Sequence, residues 1–117
     1  MKENVVKSKS FAFAVRIVNL FKYLSDEKHE YVLSKQLLRS GTAIGALVRE
    51  AEQAESKADF IHKLSIALKE ANETDYWIEL LSETKYLKEA EYRTIKEDAL
   101  ELIRLLVSII KSSKSEK

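Results

Sequence analysis

The sequence predicts an all-α protein folded as an antiparallel, up-and-down four-helix bundle. Proline is absent and glycine occurs only twice in 117 residues, so the chain lacks the residues that usually form the turns of β-proteins. Four stretches with apolar residues at helical spacing are separated by short polar segments, as in a bundle with short connections. A chain of this length has room for one compact core, so we expect a single domain over residues 1–117.

The first helix is expected over residues 10–24. Its apolar positions form a stripe wider than a contact with one neighbouring helix requires, which indicates burial on more than one side. Lysines and serines dominate the segments on either side of the predicted bundle. We therefore expect residues 1–9 and 112–117 to be flexible ends.

The second helix is expected over residues 34–55. Ser34 is a candidate N-cap, with Leu33 and Leu38 placed to form a hydrophobic staple. Gly41 and Gly45 lie one helical turn apart, and each glycine costs about 0.5–1 kcal/mol in mid-helix relative to alanine. Retaining both indicates a closely approaching helix, either within the bundle or, as in membrane helices of this spacing, at a dimer face.

The third helix is expected over residues 57–82, beginning with a capping box formed by Ser56 and Asp59. Near its end, Tyr76 and Trp77 are adjacent and point about 100° apart, so both cannot lie on the core stripe. The fourth helix is expected over residues 88–111. Its second half is hydrophobic around most of its circumference and therefore needs neighbours on several sides.

These surplus apolar residues suggest that the bundle self-associates. Aromatic residues that lie off a core face are typical of subunit interfaces, although packing at the edge of the core is an equally good explanation. The candidate interface residues are Tyr76, Trp77, Phe13 and Ile17.

No catalytic, cofactor-binding or metal-binding residues are predicted, and the protein is not expected to be an enzyme. The chain has two histidines and no cysteine, and it contains no Glu-x-x-His motif of the kind found in di-iron bundles. The closest patterns are Asp59 with His62, and Asp26 with His29, of which the second falls in a predicted connection. Without cysteines or a long apolar span, we expect a cytoplasmic protein with no cofactor and no membrane segment.

Charge is unevenly distributed along the chain. The net charge is +1, but residues 1–24 carry +4 and residues 111–117 carry +2. If both ends meet in space they could form a basic patch for nucleic acid, although lysine-rich ends commonly serve only solubility. The candidate nucleic-acid contacts are Lys7, Lys9, Arg16, Lys22, Lys35, Arg39 and Arg49.

Three segments resemble a known family in both composition and spacing. They are KQLLRSGTAIGA at residues 35–46, SKADFIHKL at 56–64 and YWIELL at 76–81. Together they resemble the small bundle proteins named after the intervening sequences of bacterial large-subunit ribosomal RNA. The resemblance is strongest over residues 33–81 and extends to the outer helices by pattern.

The resemblance implies an antiparallel four-helix bundle that assembles as a homopentameric ring. Most members have no established activity, and a related accessory protein of diversity-generating retroelements is a basic pentamer that binds nucleic acid and a reverse transcriptase. We therefore expect a non-enzymatic, oligomeric interaction or scaffold protein whose partners are its own copies and RNA or an RNA-handling protein. The alternative is a structured-RNA-binding protein that acts through its basic N- and C-terminal segments.

Overall fold

The computed structural model describes residues 2–116 and confirms the all-α class, with four helices and no strands in that range. The helices are α1 (Lys2–Asp26), α2 (Leu33–Glu52), α3 (Lys57–Glu83) and α4 (Glu89–Ser115). Each helix packs on the next along the chain, and α1 also packs on α4. Within residues 2–116 no Cα atoms of diagonally opposed helices lie within 8 Å of each other, so the bundle is square in section and measures 50 × 21 × 19 Å.

Aliphatic side chains from all four helices fill the centre of the bundle. Each helix contributes residues three or four positions apart, which keeps one stripe facing inward along several turns. The α1–α4 seam is the most open of the four. The largest fully buried side chains include Ile17, Leu24, Leu37, Ile44, Leu64, Ile78, Leu81, Ile95, Leu102, Leu106 and Ile109.

Both ends of the chain are helical where the sequence predicted flexible segments. The prediction of a flexible segment over residues 1–9 is wrong for the described residues, because α1 begins at Lys2 and Val6 is buried. Val6 and Ser10 continue the inward stripe of α1 by two more turns, a pattern that the surrounding lysines obscured. At the other end α4 continues to Ser115, with Ser113 buried, so the predicted flexible tail is largely helical.

The start of α2 is capped by Glu30 rather than by Ser34. The Glu30 carboxylate accepts hydrogen bonds from the backbone N–H groups of Val32, Leu33 and Ser34, at 3.1, 3.0 and 2.7 Å. Ser34 lies inside the helix, and its hydroxyl donates to the Glu30 carbonyl at 2.7 Å. A glutamate can fill this role because its carboxylate satisfies several of the N–H groups that a helix start leaves free.

The start of α3 agrees with the prediction, whereas the end of α2 does not. Ser56 is the N-cap of α3, and its hydroxyl accepts a hydrogen bond from the Asp59 backbone N–H at 3.0 Å. The Asp59 carboxylate accepts from the Glu55 N–H at 3.3 Å, one residue before the position expected of a capping box. Helix α2 ends at Glu52 instead of 55, leaving a short connection before Ser56.

The two glycines of α2 serve packing within the bundle. A Cβ atom built on Gly41 would lie 2.8 Å from Cγ1 of Ile17, and one built on Gly45 would lie 3.3 Å from the Ser10 carbonyl oxygen. Both neighbours belong to α1. The G-x-x-x-G spacing therefore lets α1 and α2 approach closely, as the first of the two sequence hypotheses stated.

Replacing Gly41 by alanine tests this close approach. Helix propensity alone predicts that Gly41→Ala stabilises the fold by about 1 kcal/mol. Because the added methyl overlaps the stiff, fully buried Ile17, we expect instead a loss of about 1–3 kcal/mol in the free energy of unfolding, measured by urea titration. A stabilised variant would contradict the packing described here.

The capping carboxylate of Glu30 should make stability depend on pH. Burial acts to raise the pKa of Glu30, but the hydrogen bonds from Leu33, Ser34 and Val32 outweigh it and hold the pKa below its ordinary value. A lowered folded-state pKa adds stability that is fully present above the unfolded pKa, about 4.3, and is lost as the pH falls through the folded pKa.

We therefore expect Glu30→Gln to unfold at lower urea concentration than the wild type at pH 7. The difference between the two proteins should shrink as the pH is lowered below about 4. The control is Glu27→Gln, which changes an exposed glutamate three residues earlier. A gap between wild type and Glu30→Gln that stays constant with pH would refute the proposed role of the ionised carboxylate.

Candidate interaction surfaces

A shallow apolar groove runs along the outside of α1 and α2. It has a volume of about 320 Å³. We call it the α1–α2 groove, and its lining residues are Phe11, Ala14, Thr42, Gly45, Ala46 and Arg49. The floor is open because four of these six residues are glycine, alanine or threonine.

Two large apolar side chains of α1 stand exposed, one lining this groove and one a turn beyond it. Phe11 is 55% exposed, and Val15 follows it one turn later on α1 at 47%. The Arg49 guanidinium lies 5.2 Å from the centroid of the Phe11 ring, a cation–π contact that holds the ring at one end. Such a continuous exposed apolar surface on a helical bundle is typical of a protein–protein contact.

A second exposed surface lies near the end of α3. We call it the α3 patch, and it consists of Tyr76, Glu79, Leu80 and Glu83. Tyr76 is 58% exposed, and its ring packs edge-to-face on Trp77, with centroids 5.0 Å apart. Trp77 is half-buried at the edge of the core, and its Nε1 donates to a Glu73 carboxylate oxygen at 2.9 Å. As their adjacent positions predicted, the two aromatics do not share a face: Tyr76 points outward and Trp77 packs at the edge of the core.

Two of the four predicted interface residues are misplaced. Phe13 is 3% exposed and Ile17 is 0% exposed, so both belong to the core of a single bundle and cannot reach a second copy. On this helix, Phe11 and Val15 are instead among the exposed large apolar residues. Their four-residue spacing was visible, but the sequence does not reveal which of two apolar stripes faces the core.

Carboxylates neutralise four of the seven predicted nucleic-acid contacts. Lys7 lies 3.1 Å from Glu52, and Lys9 lies 3.2 Å from Glu101. Arg39 pairs with Glu70 and Glu73 on α3. These ion pairs join neighbouring helices. Each of these cations therefore has a carboxylate of the protein as its partner and does not require a polyanionic ligand.

Arg16, the fourth of these cations, lies in the α1–α4 seam. Its guanidinium contacts Glu91 and lies 2.8 Å from an Asp98 oxygen. Burial acts to lower the pKa of Arg16, but the hydrogen bonds to these carboxylates outweigh it and raise the pKa. A cavity of about 390 Å³ opens beside it, with Leu20 and Leu87 among its lining residues.

The remaining three predicted contacts are Lys22, Lys35 and Arg49. All three are exposed, and none forms an ion pair with a carboxylate in residues 2–116. On α1, Lys22 follows Val15 by two turns and so lies on the same outward side. Of these three residues only Arg49 lines the α1–α2 groove.

The two ends of the chain meet, which is the condition that a basic patch formed by both ends requires. The Lys2 ammonium donates to the Ser108 hydroxyl at 2.6 Å, which places the start of α1 beside the last turns of α4. Lys57 at this end lies 3.8 Å from a Glu116 carboxylate oxygen. Lys2 and Lys114, one from each end of the chain, form no ion pair within residues 2–116.

Histidine and carboxylate side chains are scattered across the described part of the chain. Within residues 2–116 no three of them come together in a way that could hold a metal ion. His62 is exposed on α3, and His29 lies in the first connection, where its Nδ1 is 3.2 Å from the Tyr31 hydroxyl. None of the four helices, over the residues described, is long and apolar enough to cross a membrane.

Comparison with known proteins identifies relatives of this chain. The family described as 23S rRNA-intervening sequence protein matches residues 2–108. Among solved structures, the chain is similar to a protein of unknown function from the S23 ribosomal protein family of Bacteroides thetaiotaomicron. The two are 64% identical, the match covers 95% of this chain and 99% of that chain, and the TM-score is 0.94. None of the curated proteins compared with this chain matches it.

Alanine substitutions of two phenylalanines of α1 should distinguish its buried stripe from its exposed stripe. We expect Phe13→Ala to lower the free energy of unfolding by about 3–5 kcal/mol, because it leaves a cavity in the core. Phe11→Ala should change it by less than about 1 kcal/mol when measured at a concentration where the protein is monomeric. Equal losses in urea titrations of the two variants would contradict this assignment of the stripes.

Proposed function

This chain belongs to the 23S rRNA-intervening sequence protein family, and we propose that it is a non-enzymatic cytoplasmic scaffold that works as a homo-oligomer. The observation that carries the proposal is the exposed apolar surface of α1. Phe11 lines a groove of small residues and Val15 lies one turn further along α1, on a bundle whose core is already complete without them.

A monomer would leave this surface in water. Apolar area removed from water is worth about 25 cal/mol per Å², so covering an exposed phenylalanine and valine is favourable when a partner of matching shape is available. Other copies of the same chain are present wherever this protein is present. Self-association is therefore the simplest way to cover the groove.

More specifically, we propose that the oligomer is a ring of five copies. It draws on the resemblance of residues 33–81 to family members that assemble as homopentamers. The charged groups of the bundle support a scaffold rather than a catalyst, because the most enclosed ones are already paired. Lys96 is one example, lying 2.9 Å from an Asp75 oxygen and 3.0 Å from a Glu79 oxygen.

Binding of structured RNA through the basic ends stays a second hypothesis. Four of the seven predicted contacts, Lys7, Lys9, Arg16 and Arg39, are paired with carboxylates, which leaves the other three for phosphate contacts. A protein that binds RNA through a few phosphate contacts loses affinity steeply with salt. A titration with structured RNA at several salt concentrations would detect this, and an RNA-handling protein would be sought only after that result.

The proposal is tested by measuring native mass with light scattering coupled to size exclusion. We expect the wild-type protein to elute at about five times the subunit mass at micromolar concentration. Phe11→Glu should shift the mass towards one subunit, because it places a carboxylate where apolar contact is expected.

The matched control is Val32→Glu. Val32 is 72% exposed but lies in the first connection, away from the α1–α2 groove. This variant should keep the wild-type mass. A monomeric wild type at micromolar concentration would refute the proposal.

A further inference from the structure

We propose that α1 separates locally from α4 while the other three seams of the bundle stay closed, and that Arg16 keeps this seam shut. The opening is a property of the single bundle, so it goes beyond the proposed self-association and does not depend on it. It follows from the connectivity of the helices, the packing along the seam and the contacts that close it.

No connection within residues 2–116 bridges the α1–α4 seam, in contrast to the other three. Residues 27–32 join α1 to α2, 53–56 join α2 to α3, and 84–88 join α3 to α4. A short connection keeps two helices at a high effective concentration, so they return to each other quickly after separating. The first and last helices lack this restraint. They also approach each other at fewer points than any other neighbouring pair.

Packing in this seam is incomplete. The cavity of about 390 Å³ beside Arg16 is lined in part by the buried side chains of Leu20 and Leu87, and a second cavity of about 140 Å³ is lined in part by Phe13 and Leu102. The α1–α2 groove, by contrast, is lined by no buried residue. Core atoms that border a cavity lose dispersion contacts, so separating α1 from α4 costs less than parting two closely packed helices.

Polar side chains on the outside of the seam hold the two helices together. Lys9 lies 3.2 Å from a Glu101 oxygen, and both side chains are more than 40% exposed. An exposed ion pair of this kind contributes little to stability. Lys2 adds one hydrogen bond to the Ser108 hydroxyl near the end of the seam.

Arg16 joins α1 to two turns of α4. Its guanidinium donates hydrogen bonds to Glu91, Thr94 and Asp98. The Arg16 side chain is 30% exposed, less than either member of the Lys9–Glu101 pair, so solvent screens its charge less. Loss of this one side chain therefore removes the main polar contact of the seam.

Opening of the seam presents an apolar surface without unfolding any helix. Phe13 and Leu20 on α1 and Leu102 on α4 are at most 6% exposed in the closed bundle, and they line the cavities of the seam. Separation of the helices brings these side chains into contact with water. A partner that binds apolar surface would therefore bind the open form, and the contacts of Arg16 set how often that form occurs.

The chain contains no cysteine, so one introduced thiol reports on the opening. Leu102→Cys places the thiol in the seam, and Leu64→Cys places it on α3 as a matched control, since the two leucines are 1% and 2% exposed. The reaction of each thiol with dithio-bis-nitrobenzoate is measured in native buffer. Global unfolding, measured by urea titration, exposes both thiols. We expect the Leu102→Cys thiol to react about tenfold faster than global unfolding allows, and the Leu64→Cys thiol to react no faster than that.

The role of Arg16 is tested in the Leu102→Cys protein. Arg16→Gln should raise the reaction rate in excess of global unfolding by about three- to tenfold, and Arg16→Lys, which keeps the charge, should raise it less. The matched control is Arg39→Gln, because Arg39 also pairs with two carboxylates but between α2 and α3. This variant should leave the excess rate unchanged.

Salt gives a second measurement of the same contacts. Raising the NaCl concentration to about 1 M screens charges over a few ångströms, so it should speed the reaction of the Leu102→Cys thiol more when Arg16 is present than in Arg16→Gln. The Leu64→Cys thiol corrects for any effect of salt on the reagent.

A second pair of variants covers the case in which a leucine variant loses helicity by circular dichroism. Ala99→Cys on α4 and Ala71→Cys on α3 then replace it, since both alanines are at most 1% exposed and the change removes no side-chain atoms. Ala99 lies one turn before Leu102 on the same buried stripe.

Two results would overturn the inference. If the seam thiol reacts no faster than global unfolding allows, the bundle does not open between α1 and α4. If Arg16→Gln and Arg39→Gln raise its excess rate equally, Arg16 does not control the opening. Neither result bears on the oligomeric state, which the native mass decides independently.

Discussion

The close approach of α1 and α2 determines the rest of this structure. Without side chains at Gly41 and Gly45, α2 can lie against Ile17 and the backbone at Ser10. That contact fixes the rotation of α1 about its own axis. With Ile17 turned inward, Phe13 follows it into the core, and Phe11 and Val15 must face outward. The same small residues that bring the helices together also leave the shallow groove between them, so the bundle core and the candidate interface have one origin.

Ion pairs between helices neutralise part of the basic charge of this nearly neutral chain. Lys7, Arg16, Arg39 and Lys63 each reach a carboxylate on a neighbouring helix. Pairs of this kind at the surface contribute little to stability individually, but they fix which charges remain available. Cations without an ion pair in residues 2–116 occur on all four helices, for example Lys22, Lys35, Lys69 and Arg104.

Local hydrogen bonds cap the starts of α2 and α3. Glu30 satisfies three backbone N–H groups at the start of α2, and Ser56 serves the start of α3. Both caps join residues that are close together in the sequence. Only the Ser56 cap was predicted from the sequence, because serine directly before a helix is a common cap. A glutamate several residues upstream is not.

The sequence by itself determined the class of fold, the number of helices and the family, because helix periodicity and the lack of proline are local properties of the chain. It also located the cap at Ser56 and the close packing at the two glycines. It misassigned the described parts of residues 1–9 and 112–117, where Val6 and Ser113 pack inward among lysines. Only the tertiary structure decided that Phe13 is core and Phe11 is surface. Both lie on apolar stripes of one helix, and which stripe is buried depends on how the neighbouring helix is placed.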